Sequence, residues 1–307
     1  MKVIQNLKPV LEKSENVSID RKKLGEYAKL FDKKNYKHWL SISPFDFNQL
    51  NENEQLEFLF TLNSISFSYW GNPKWRTKHD GKDYDGAQAM MTCLGEAIER
   101  GISFNPNQLA NFQRADLEEI LMGNVEIPLL DKRLSFLREV GVIIQRDFRG
   151  DFRYLIDQSQ GDALQLVDLL VGNFPSFEDS AVYKGDRIYF SKRAQLLVSD
   201  LGYLFGGLDN LDRLSACADY KLPQILRRHS ILKYSNELQR KINTKEEIPA
   251  GSEEEVEIRA HTIQAVELLK REITDITSNQ INDYLWLEGQ VKLPSDESYH
   301  LTRTTAY

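Results

Sequence analysis

The chain has 307 residues, 41% of them hydrophobic and 28% charged, an ordinary composition for a folded chain with ample apolar material for a core. Acidic residues outnumber basic ones, 46 against 39, which removes any global attraction for a polyanion and makes direct nucleic-acid binding an unfavoured role. No stretch approaches the roughly 20 apolar residues of a membrane span, and the opening MKVIQNLKPVLEKSENV lacks the apolar run of a signal peptide, so a cytoplasmic location with no membrane partner is expected.

Helical periodicity recurs along the whole chain. Leu24, Tyr27, Ala28 and Phe31 mark a first apolar face, and Leu56, Leu59 and Phe60 a second. Met90, Cys93, Leu94, Ala97 and Ile98 follow, with Gly101 as a stop, and then Leu130, Leu134, Leu137 and Val140, with Gly141 as a stop. Ala163, Val167 and Leu170 continue the pattern, as do Ala194, Leu197, Val198, Leu201, Leu204 and Phe205 before the break at Gly206 and Gly207. Leu222 and Pro223 open a further helix through Ile225, Leu226 and His229. Ser252 with Glu255 and Thr277 with Gln280 are capping-box patterns ahead of two more. Strand signals are few: a short hairpin in Val182–Phe190 around Gly185 and Asp186, and a turn near Asp80 and Gly81. With no low-complexity linker and no repeat, the expected architecture is mainly α, a single compact helical domain over residues 1–307 with one or two short β-hairpins. The charged run Asn243–Glu255 reads as an exposed connector.

Four groups of residues are candidates for chemistry. Asp219 stands among small and apolar residues just before a helix, where a buried carboxylate is either tied up by donors, the commoner case, or held ready for reaction. Lys192 and Arg193 fall at a helix start that Ser191 can cap. Two cations there oppose the helix dipole unless an anion compensates them, so they either form a phosphate site or reach solvent or Asp186. Phe67, Tyr69, Trp70 and Trp75 are either core or a stacking wall for a planar base. Glu257 and Arg259 adjoin an apolar helix face, either held in intrahelical or interhelical salt bridges or partly buried as polar contacts. Cys93 and Cys217 lie in apolar surroundings without metal-ligand spacing and read as reduced thiols; no metal or organic cofactor is implied. The tail SYHLTRTTAY is expected to fray unless docked.

Taken together, NSISFSYW, GKDYDGAQAM, EAIERGI, IPLLDKRLSFLREVG, FPSFEDSAVYKGDRIYFSKRAQLLVSDL, CADYKLPQILRRHSILKYS, EEVEIRAHTIQAVELL and YHLTRTTAY resemble the queuosine salvage proteins, a family of queuosine 5'-monophosphate N-glycosylases. The resemblance implies an all-helical fold akin to the helix-hairpin-helix DNA glycosylases and hydrolysis of the N-glycosidic bond to give queuine and ribose 5-phosphate. It also implies that Asp219 is the catalytic carboxylate. On that footing Lys192 and Arg193, with Lys233 and Tyr234 nearby, become the expected phosphate clamp. Phe67 and Trp70 become stacking partners for the deazaguanine ring, and Glu257 and Arg259 polar contacts or support. The chain departs from the familiar pattern at Lys221, where arginine is common, and at Leu287, where Leu-Trp-Asp is usual. The rival expectations are a queuine- or queuosine-binding protein without catalysis and a nucleic-acid glycosylase; the oligomeric state is not fixed by any of these residues.

Overall fold

The computed structural model describes residues 2–307, and it is mainly α-helical. The periodic segments form helices Arg21–Leu30, Glu52–Ile65, Gly86–Glu99, Leu130–Asp147, Ala163–Asn173, Lys192–Phe205, Lys221–Arg228, Glu253–Glu272 and Ser278–Glu288, joined by shorter ones. Three two-stranded antiparallel ribbons are the β structure of the described residues. Two are the expected hairpins, Arg76–His79 with Lys82–Asp85 and Ser180–Tyr183 with Asp186–Tyr189. The third pairs Val17–Ile19 with Leu232–Tyr234, two three-residue strands too short to show a period in sequence.

Three local expectations need correction. Gly141 does not end its helix, which runs on to Asp147; a Cβ there would lie 2.3 Å from the backbone nitrogen of Ala110, so the glycine permits close packing of helix Pro106–Asn111. Ser191 occupies the cap position of helix Lys192–Phe205 in a left-handed conformation (φ 52°), and its hydroxyl caps nothing; the first N–H, that of Lys192, goes to Asp179 Oδ2 at 2.9 Å. Ser252 caps Glu255 N–H, but the Glu255 carboxylate reaches Gly251 N–H instead of completing a box. Thr277 and Gln280 do form theirs.

Apolar side chains gather into three clusters. One is built on Glu52–Ile65, Gly86–Glu99, Leu130–Asp147 and Lys192–Phe205. A second is built on Glu253–Glu272, which packs against Arg21–Leu30, Lys221–Arg228 and Ser278–Glu288. A small third cluster holds Trp70, Tyr220 and Tyr307. The C-terminal residues are docked: Trp70 Nε1 donates to Thr302 O, Ser68 Oγ to Thr304 O and Ser68 N–H to Tyr307 O. Cys93 and Cys217 are free and buried. Among the described residues no helix is long and apolar enough to cross a membrane.

Candidate active site

Between Lys192–Phe205 and Ser278–Glu288 runs Leu214–Tyr220, a buried segment outside any helix or strand, so its backbone groups must find side-chain partners. They do. Gln195 Oε1 accepts Ser215 N–H (2.8 Å), Asn282 Oδ1 accepts Cys217 N–H (2.9 Å) and Arg259 Nε donates to Ala218 O (3.3 Å). These three anchors from three helices fix the residue that follows, Asp219, which is nine-tenths buried. Asp219 Oδ1 accepts the N–H groups of Lys221 (2.7 Å) and Leu222 (3.1 Å) at the start of the next helix. Its Oδ2 accepts no hydrogen bond from the described residues.

Asp219 faces a pocket enclosing about 770 Å³ of space, its mouth included, lying where the three apolar clusters meet. Aromatic walls come from Trp39, Tyr69, Tyr220, Trp286 and Tyr307. Polar groups converge on it from Lys74, Asp85, Lys192, Lys221 and Asn282. Lys74 and Asp85 are paired at 2.6 Å across the base of the hairpin Arg76–Asp85. Burial holds the Lys221 ammonium below its ordinary pKa, and its Nζ is 3.4 Å from Gly289 O. Lys192 is different. It is buried, one helical turn before Leu196 on the pocket face, and its Nζ has no hydrogen bond or ion pair among the described residues. A pocket of this size with one open carboxylate oxygen, one unpartnered ammonium and flat apolar walls suits a small anionic molecule carrying a planar ring.

The other expected site residues lie elsewhere. Arg193, adjacent to Lys192 in sequence, points away from the pocket, where its guanidinium donates to Asn63 O, Ser64 O and Ser176 O; burial lowers its pKa to about 10. Phe67 is fully buried, with the Arg133 and Arg193 Cζ atoms 4.4 and 5.3 Å from its ring centre, and it does not line the pocket. Trp70 is capped by Arg303 at 3.8 Å and borders a separate cleft beside Tyr299. Lys233 is exposed and paired with Asp20 (2.6 Å), and Tyr234 lies under Arg227. Glu257 accepts the backbone N–H groups of Glu15, Asn16 and Val17 and the Tyr183 hydroxyl, fastening the N-terminal segment to helix Glu253–Glu272.

Arg259 supports the site from behind. It forms a two-pronged pair with Asp179 (2.8 and 2.6 Å), whose Oδ2 also holds the Lys192 N–H, while its Nε holds Ala218 O. One guanidinium thereby ties together the segments that present Lys192 and Asp219.

Carboxylate, ammonium and aromatic walls on a helical scaffold define a pocket protein for a small anionic ligand. The profile of the family described as queuosine salvage protein matches residues 46–307, and the chain belongs to that family. A relative from Sphaerobacter thermophilus called queuosine 5'-phosphate N-glycosylase/hydrolase is 38% identical, covering 99% of this chain and 97% of its own. Relatives of the same name from Nematostella vectensis and Mus musculus are 32% and 30% identical, covering 82% and 87% of this chain and 82% and 83% of theirs.

Proposed function

We propose that the protein hydrolyses the N-glycosidic bond of queuosine 5'-monophosphate, releasing queuine and ribose 5-phosphate, within a single domain over residues 1–307 of helix-hairpin-helix glycosylase type. The observation that carries the reading is Asp219, whose Oδ2 is left open in the same aromatic-walled pocket that an unpartnered Lys192 lines. As the bond to the base breaks, its electron pair leaves with the ring and positive charge spreads over the anomeric carbon and ring oxygen of the ribose. In a 7-deazaguanine the five-membered-ring nitrogen that purines protonate is replaced by carbon, so leaving-group activation is limited and more of the barrier falls on stabilising the sugar cation. A carboxylate beneath the anomeric carbon supplies that stabilisation, whether it then captures the cation as an ester or a water does so directly. Water finally gives its hydroxyl to the sugar and its proton to the base.

Lys192 is the residue we assign to the 5'-phosphate, as a buried ammonium with no internal acceptor, and Arg193 is withdrawn from that role because the carbonyls of Asn63, Ser64 and Ser176 occupy it. A charge-assisted contact of this kind contributes about 2–3 kcal/mol, roughly 30- to 150-fold in kcat/KM. Lys192→Met is therefore expected to lose that factor on queuosine 5'-monophosphate and little on queuosine, measured as free queuine by mass spectrometry. An unchanged preference for the phosphorylated substrate would remove Lys192 from the phosphate site. Absence of queuine release by folded wild type would overturn the activity itself.

A further inference from the structure

Behind the pocket wall formed by Trp39 and Asn282 lies a buried group of ionisable side chains to which the mechanism above gives no part. Asp200, two helical turns after Lys192, is fully buried; its Oδ1 accepts Trp39 Nε1–H (2.7 Å) and its Oδ2 accepts Asn63 Nδ2–H (2.9 Å). Asp283, next to Asn282, is 2% exposed; its Oδ2 meets the Tyr36 hydroxyl (3.2 Å) and its Oδ1 the Asn282 amide (3.3 Å). His38 enters from the segment before Trp39, stacked on Tyr203 at 3.8 Å, with its Nε2 3.7 Å from Asp200 Oδ1 and 3.8 Å from Asp283 Oδ2. Its Nδ1 accepts Leu40 N–H, so the neutral ring carries its proton on Nε2, aimed between the two carboxyl groups.

We infer that His38, Asp200 and Asp283 work as one proton-holding cluster that positions Trp39 and Asn282 in the pocket, with Asp283 protonated and Asp200 charged in the active enzyme. The hydrogen bonds assign the proton. Both Asp200 oxygens face N–H donors and must accept, whereas the Tyr36 oxygen opposite Asp283 can itself accept an O–H. Two like charges flanking one imidazole in so buried a place would be costly. Burial pushes both carboxyls up, to about 8 at Asp200 and about 7 at Asp283, and pushes the His38 imidazole down to about 3. The proton titrates as a property of the pair, and although burial raises Asp200 further, its two N–H donors leave no acceptor for an O–H there, so the proton sits on Asp283. The other ionisable groups facing the cluster are Lys192 and Tyr203 on the Asp200 helix, Tyr36 beside His38, and Cys217 across the pocket wall. Burial holds Cys217 up at about 12 and Tyr36 higher still, so neither ionises between pH 6 and 9.

The cluster reaches the site through two contacts. Trp39, held by Asp200, packs edge-on against Trp286 at 5.5 Å, both lining the pocket, and Asn282, held by Asp283, holds Cys217 two residues before Asp219. Loss of the proton as pH rises turns Asp283 into a second buried anion that pulls harder on the Asn282 amide and repels Asp200, so the holds on Asn282 and Trp39 both shift and catalysis falls on the alkaline side.

This rests on the glycosylase reading, and the test separates the two. It follows kcat/KM for queuine release from queuosine 5'-monophosphate and, without substrate, the fluorescence of Trp39 taken as wild type minus Trp39→Phe. The expected wild-type result is a fall of about tenfold between about pH 7.5 and 9, matched by a fluorescence step. In Asp283→Asn the step disappears and the alkaline limb moves up by about one pH unit or more. His38→Phe keeps the ring on Tyr203 but removes the N–H facing both carboxyls, so it moves the step upward and serves if Asp283→Asn does not fold. A wild type without the step, or a step that neither variant moves, overturns the cluster even if queuine is released. A step abolished by Asp283→Asn with no queuine released at any pH overturns the glycosylase reading and leaves the cluster standing.

Discussion

Asp219→Asn is expected to fold like the wild type, to bind queuosine 5'-monophosphate, and to release queuine at least about a thousandfold more slowly, a loss of about 4 kcal/mol in transition-state stabilisation. The two halves of this expectation come from the two oxygens of one side chain. Oδ1 caps Lys221 and Leu222, a task that an asparagine carbonyl performs as well as a carboxylate, so the helix start and the buried segment before it keep their geometry. Oδ2 is the open atom, and in asparagine an uncharged NH2 replaces it. The ground-state complex therefore loses little, while the cationic transition state loses its counter-charge. The check is single-turnover release with the circular dichroism spectrum and substrate affinity measured on the same preparations. A variant within about tenfold of wild type would show that Asp219 is only a cap, because a capping role is the one that asparagine preserves.

Much of the helical framework is written locally. Apolar residues at helical spacing and stop signals such as Gly206 (φ 66°) locate most of the longer helices, because a face that must be buried imposes its period on the sequence. Gly141 misleads because glycine serves two ends, and here close approach to Ala110 is the one used. Asp219 was visible as a lone carboxylate among small residues, and Lys192 as a cation where a helix dipole disfavours one. What sequence could not separate was Lys192 from Arg193. They share a neighbourhood in the chain, but successive helical residues point about 100° apart, and the oxygens that claim Arg193 lie at Asn63, Ser64 and Ser176. The His38, Asp200 and Asp283 group spans most of the chain and has no local signature as a set. Its one legible trace was Asp200 itself, a charge between Val198 and Leu201 inside an apolar stripe. Of the aromatic cluster, Tyr69 lines the pocket, whereas Phe67 is buried against two guanidinium groups.

Replacing Arg259 with methionine is expected to remove about 3–5 kcal/mol of stability, seen as a fall of roughly 10 °C in Tm. The cost does not come from losing an attraction alone. Arg259 and Asp179 are 3% and 5% exposed at their side chains, so the variant leaves the Asp179 carboxylate in the interior with the Lys192 N–H as its one recorded donor, and it also removes the counter-charge that lies 3.5 Å from buried Glu255. Lysine is no substitute, because the pair uses both terminal nitrogens and a third contact from Nε to Ala218 O. Removing the stranded charge as well, in Asp179→Asn/Arg259→Met, should recover a large part of the lost stability, since two neutral groups are cheaper to bury than one unpaired ion. Activity should not recover with it. The same guanidinium joins the carbonyl before Asp219 to the carboxylate that holds the first N–H of the Lys192 helix, and neither variant restores that bridge. Thermal melts and queuine-release rates on both variants decide the matter. A double variant as active as wild type would reduce the Arg259–Asp179 pair to a packing element, and a single variant melting within a degree or two of wild type would show that the buried charge finds another partner.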